Sequence, residues 1–181
     1  MAAPLAPGRV TAPVGGVPPR RIVFFDERYA DSCAFAQAFE ADQAVASAQD
    51  VARLWYGGLQ ADARTCRLQL AGLTLPSDHM LLAGFAEEAG LTLHFETWHD
   101  GRGPALTHHI TRGSLPAALS HALRQTRGEA RTHGRPAWAR TLALALRSEL
   151  STVAVPPAAG RIVGAAPAAD MPGMLVSWLI A

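Results

Sequence analysis

Apolar and polar positions along this chain fall into blocks that switch between two periods. Arg21 to Asp26 (RIVFFD) is a short, dense apolar run, the pattern of a strand buried on both faces. Asp31-Ser32 then offer helix N-caps. Cys33 to Ala41 follows as a helix, with Phe35 and Phe39 four apart on one side. Ala44 to Ala48 reads as a weak strand. Asp50 caps a helix from Val51 to about Leu59, where Gly57-Gly58 weakens the helix end. Leu68 to Leu73 (LQLAGL) is a third apolar strand. After the loop Thr74 to Asp78, Ser77 caps a helix reaching Ala89. Leu81, Leu82, Phe85, Ala86 and Ala89 share one side of that helix, Glu87 points away, and Gly90 is a stop signal. Strands and helices alternating at such short spacing predict a mostly parallel sheet with right-handed crossovers.

The period changes at Leu91. Leu91 to Trp98 (LTLHFETW) alternates strictly, Asp100 to Gly103 is a turn, and Leu106 to Thr111 is the antiparallel return strand. A turn centred on Gly101-Arg102 sets Leu93, Phe95 and Thr97 against Ile110, His108 and Leu106 on a core-facing side. It sets His94, Glu96 and Trp98 against His109, Thr107 and Ala105 on a polar side. Ser114 then caps a helix over Leu115 to Arg124. Pro136 opens another, through about Leu150, burying Trp138, Leu142, Ala145 and Leu146. Arg161-Ile162-Val163 reads as a short strand, and Met174 to Ile180 (MLVSWLI) as a covered sheet strand. The expected fold class is therefore α/β. It is a three-layer, mostly parallel sheet with helices on both faces, extended by an antiparallel hairpin over residues 91–111.

Met1 to Pro19 carries five prolines and three glycines, a composition unsuited to helix or paired strand. The expected division is a Pro/Ala/Gly-rich arm over residues 1–20 and a single domain over 21–181. The arm has no continuous apolar segment of the signal-peptide kind. A cytoplasmic location follows, or an exported one if an upstream signal has been removed.

Composition narrows the chemistry. The chain has 181 residues, 49% of them apolar, and a formal net charge of +1. That balance favours neither nucleic acid nor an anionic membrane, and no apolar run is long enough to span a bilayer. Lys and Asn are absent from the sequence, a mark of GC-rich coding. Without Lys there is no Schiff-base chemistry of the pyridoxal-phosphate kind and no P-loop nucleotide site. The first β-α turn, DERYADS, lacks the glycine pattern of dinucleotide binding. Cys33 and Cys66 match no zinc or redox spacing and read as buried thiols or one disulfide.

Two places remain for chemistry. In open α/β sheets ligands bind at the carboxyl ends of parallel strands. That rim would gather Asp26, Glu27 and Arg28 after the first strand, Asp50 after the second, and Thr74, Ser77, Asp78 and His79 after the third. A helix N-terminus at Ser77 and the guanidinium of Arg28 suit a small anionic ligand. The second place is the polar side of the hairpin. There His94, Glu96 and His109 make a two-histidine, one-carboxylate set for a divalent metal such as zinc or iron, and with it a metal-dependent enzyme. A protein partner or a second copy, docking on the arm or the apolar last strand, is the third expectation. The leading one is an accessory domain that binds a small anion without catalysis.

Overall fold

The computed structural model describes residues 19–47, 50–113, 120, 123, 137–149, 160–164 and 171–181. Strand β1 (Arg20–Phe25) leads into helix α1 (Ala30–Phe39) and strand β2 (Gln43–Ala46). Helix α2 (Val51–Leu54) passes through a wide π turn (Trp55–Leu59) into α3 (Gln60–Thr65). Strand β3 (Leu68–Thr74), helix α4 (Pro76–Glu88) and the hairpin strands β4 (Leu93–Asp100) and β5 (Thr107–Arg112) follow. Helix α5 (Ala137–Glu149) and strands β6 (Gly160–Val163) and β7 (Met174–Ile180) complete the described elements. The helix expected over 115–124 lies outside the described residues except for 120 and 123. So does the arm up to residue 18, while Arg20 belongs to β1.

The strands form one seven-stranded mixed sheet in the order β2-β1-β3-β7-β4-β5-β6. Only β1 with β2 and β1 with β3 are parallel, as their crossover helices require. The other four pairings are antiparallel. This corrects the expectation of a mostly parallel sheet. The β-α-β pattern predicts the first three strands well. It does not reveal that the last strand returns to the sheet's middle, running against both β3 and β4.

Alternation along the strands sorts the core into two clusters. Val23, Ala71, Leu73, Phe95, Ile110, Leu175 and Leu179 meet Phe35 and Phe39 of α1 and Trp138, Leu142 and Leu146 of α5. Their neighbours Ile22, Phe24, Leu70, Val176 and Trp178 meet Val51, Trp55, Leu59, Leu82 and Ala86. Each buried aliphatic or aromatic side chain contributes about 1.5–3 kcal/mol by leaving water.

Several local expectations change. Asp31 and Ser32 lie inside α1, with Tyr29 at the cap position and no side-chain cap. The helix opened by Asp50 does not end at the glycines. Gly58 leaves helical angles (φ 162°, ψ −33°), and the chain kinks there and continues to Thr65. On α4 the buried stripe is His79, Leu82 and Ala86, whereas Leu81 is exposed. The hairpin runs two residues further than expected. Thr97 pairs with Ile110, Trp98 with His109, His99 with His108 and Asp100 with Thr107. The polar Asp100 had marked a turn in the sequence. In the structure it ends the strand, and its carboxylate accepts hydrogen bonds from the Arg102 backbone N–H (3.0 Å) and guanidinium (2.9 and 2.7 Å). The register moved by an even step beyond Glu96, so every cross-strand partner changes while Phe95 stays on the side of Ile110; Leu93, across an irregularity in the ladder, turns instead to the cluster that Trp98 packs on.

Candidate functional site

β4 runs antiparallel to β7, as β3 does, so β1, β2, β3 and β4 all end at the same rim. The side chain best defined there is Asp26. It is fully buried, and its carboxylate accepts from the Arg28 backbone N–H (3.0 Å) and from guanidinium Nε (2.9 Å) and Nη2 (2.6 Å). Burial alone would raise the Asp26 carboxyl. The Arg28 hydrogen bonds and charge override it and hold it below the usual carboxylate range. The Arg28 side chain keeps 56% of its surface exposed and lies 5.4 Å over the Tyr29 ring. The Asp26 backbone N–H donates to Ser32 Oγ (2.7 Å), and that hydroxyl donates to the Leu73 carbonyl. Ser32 thus ties the end of β1 to the end of β3.

Asp78, in the first turn of α4, sits within electrostatic reach of Asp26 and Arg28. Burial first, and then the Asp26 charge, push its carboxyl above the usual range, against the hydrogen bond from Ser77 and the charge of Arg28. Asp78 therefore joins the Asp26–Arg28 pair. Asp78 is one of the residues that the sequence placed at this rim.

The rest of the expected rim set disperses. Ser77 is exposed and is not the cap of α4. Pro76 opens that helix behind Leu75, and the Ser77 hydroxyl donates to Asp78 Oδ1 at 3.4 Å. Asp50 does cap α2, accepting from the Ala52 (3.0 Å) and Arg53 (3.2 Å) backbone N–H groups. With Arg53, Leu54 and Gly57 it lines an open cleft of about 570 Å³. Thr74 is fully buried, its hydroxyl accepting from Trp178 Nε1 (3.1 Å) and donating to the Leu75 carbonyl (3.3 Å). His79 turns under α4 onto the sheet. Its ring lies 6.5 Å from that of Trp98 and 6.0 Å from that of Trp178, and its Nε2 is 3.5 Å from Glu96 Oε1.

The metal set is not assembled. His109 stands opposite Trp98 and Glu96 opposite Arg112, so His94 and His109 are not cross-strand neighbours. Four residues of strand, about 13 Å, separate His94 from the position facing His109. Among the described residues no group of three His, Cys, Asp or Glu side chains could hold a metal ion. Cys33 and Cys66 form no disulfide, Cys66 being exposed and Cys33 half-buried.

On the sheet face covered by α1 and α5, a histidine pair went unread in the sequence. His99 and His108 are fully buried, with Nδ1 atoms 2.6 Å apart, and His99 Nε2 is 2.8 Å from Ser177 Oγ. Trp138 packs against both rings. Burial, with neighbouring histidines, pushes His99 well below the ordinary value and His108 down to about 4. Extending the alternation of Phe95 and Thr97 by one more step would have placed His99 on this face.

Comparison of the chain with protein-family models, with curated proteins and with solved structures finds no match.

Proposed function

We propose that this protein is a small-molecule binding domain, with no catalytic role, whose ligand carries an anionic group that docks on Arg28 at the rim. The observation that supports this reading is the Asp26–Arg28 pair. A fully buried carboxylate grips one edge of the guanidinium through Nε and Nη2, while the Arg28 side chain as a whole stays more than half exposed. An arginine oriented in this way loses little side-chain freedom on binding a carboxylate or phosphate. Asp26 neutralises the pair, and Asp78 is held toward its uncharged form. An anion on Arg28 would repel ionised Asp78, so binding strengthens as the pH falls through the Asp78 pKa.

The test is a thermal-shift screen with oxalate, succinate and inorganic phosphate, followed by calorimetry of any hit on the parent protein and Arg28→Gln. Stabilisation that is lost in Arg28→Gln and grows toward acid pH is expected. Binding that is equal in both proteins rejects the reading.

A second role, docking a protein partner or a second copy, is favoured by one observation. Tyr56, Met80 and Leu81 are exposed, Tyr56 lying edge-on to Phe85 with centroids 5.4 Å apart. The apolar last strand is not the docking element, because β7 is paired on both edges. Light scattering after gel filtration distinguishes a dimer from a monomer, and Tyr56→Ser should dissolve a dimer built on this patch.

A further inference from the structure

We propose a second binding site, independent of Arg28, in which His79, Glu96 and Trp98 receive the ammonium group of an organic amine. His79 is 3% exposed, and neither of its ring nitrogens makes a hydrogen bond. Buried polar groups are nearly always paired, so an imidazole with both nitrogens unmet marks a place where something else binds. The three groups that converge there are all electron-rich. Glu96 presents a carboxylate that is 18% exposed, and among the described residues His79 is the one basic group within ion-pair distance of it. Trp98 offers a half-buried indole face, edge-on to His79 at 84°. Burial outweighs the pull of Glu96 and keeps His79 in its neutral form, so one nitrogen carries a free lone pair.

A donor-rich cation complements this set. One N–H can bond the Glu96 carboxylate, another the imidazole lone pair, and the charge is held by the indole face. An anion would meet Glu96 and be repelled. The neighbouring groups are already committed. The Trp178 N–H is used by Thr74, the Thr111 hydroxyl donates to Glu96, and Arg112, opposite Glu96 in the ladder, directs Nη1 to the Leu93 carbonyl at 3.4 Å. His109 and Thr111 lie on exposed positions of the adjoining strand, leaving the outer side of Trp98 and Glu96 open to solvent.

The experiment titrates the parent protein with n-butylammonium chloride, following tryptophan fluorescence and calorimetry, with n-butanol as the uncharged control. Saturable binding of the amine and none of the alcohol is expected. Glu96→Gln, which keeps the shape of the side chain, should weaken the amine about tenfold through loss of a charge-assisted hydrogen bond. Trp98→Leu should weaken it by a smaller factor, and Arg28→Gln should leave it unchanged, which separates this site from the rim. Circular dichroism verifies that each variant is folded, and Thr111→Val perturbs Glu96 from outside should Glu96→Gln fail to fold. No saturable binding of butylammonium, or equal affinity in parent protein and Glu96→Gln, overturns the proposal. Two water molecules, one on each His79 nitrogen, in a crystal grown with the amine overturn it as well.

Discussion

His99 Nδ1 and His108 Nδ1 face each other across the β4–β5 ladder at 2.6 Å, in a position sealed by Trp138. One of the two nitrogens must carry the shared hydrogen. If His108 donates, His99 can use its Nε2–H on the Ser177 hydroxyl, and the buried His108 Nε2 is left with a bare lone pair. If His99 donates, His108 Nε2 becomes an N–H with no acceptor. Orphaned donors are rarer than orphaned acceptors, so the first arrangement is favoured.

Acid should therefore undermine this core. The unfolded chain takes up protons at these histidines near pH 6.5, whereas the folded His108 waits until about 4. Stability tied to a histidine of lowered pKa is fully present above pH 6.5 and is lost as the pH falls toward 4. The His108 shift alone corresponds to roughly 2 kcal/mol lost between pH 7 and pH 5. Urea unfolding at the two pH values measures this, and His108→Leu should flatten the difference. Equal unfolding free energies for the parent protein at pH 7 and pH 5 would contradict it.

Gly72 should tolerate no side chain. It faces Trp178 across the β3–β7 pair, and a Cβ there would lie 2.4 Å from the indole ring. Trp178 also packs on Phe24 and bonds Thr74, so the ring cannot move freely. Gly72→Ala is expected to cost on the order of 1–3 kcal/mol by overpacking. Thermal melting should show the loss and show part of it restored when Trp178→Leu is added. An unchanged melting temperature for Gly72→Ala would refute the clash.

Removing Arg28 should expose the cost of a buried charge. Asp26 remains fully buried in Arg28→Ala, without the hydrogen bonds that hold its carboxyl low. A destabilisation of about 1–3 kcal/mol at neutral pH is expected. The Asp26 contribution is present above the ordinary carboxylate pKa and is lost as the pH falls through the lowered folded value. Its loss in the variant should move the acid unfolding midpoint upward. Acid titrations of the two proteins by circular dichroism compare those midpoints directly.

Ser32→Ala should loosen the link between β1 and β3. The variant leaves the Asp26 backbone N–H and the Leu73 carbonyl without their bridging hydroxyl. A cost of about 1–3 kcal/mol follows from unmet buried groups. Hydrogen exchange at the Asp26 amide should accelerate more than exchange in β5, and equal acceleration in the two places would argue against a local tie.

The fold was legible where local pattern and tertiary position agree. RIVFFD, LQLAGL and MLVSWLI are dense enough in apolar residues to be buried strands in any arrangement, and all three are. The place of MLVSWLI within the sheet was not legible, because its pairing partners lie far away in the sequence. The hairpin was read two residues short, since Asp100 and His99 look like turn residues until Arg102 and His108 are seen to satisfy them. Of the site residues, Asp26 and Arg28 came together because they are two apart on one turn. His79 and Glu96 meet only because α4 folds back over β4, a relation that no spacing in the sequence encodes.

The central place of β7 has a consequence for how the chain is made. The parallel strands β1, β2 and β3 and the antiparallel set β4, β5 and β6 touch no common strand except β7. During synthesis both halves emerge from the ribosome before residues 174–180 do. Each must wait with one raw edge open, and a growing chain held at that stage is a target for chaperones. Closure of the sheet is thus an event that follows translation of the last described strand.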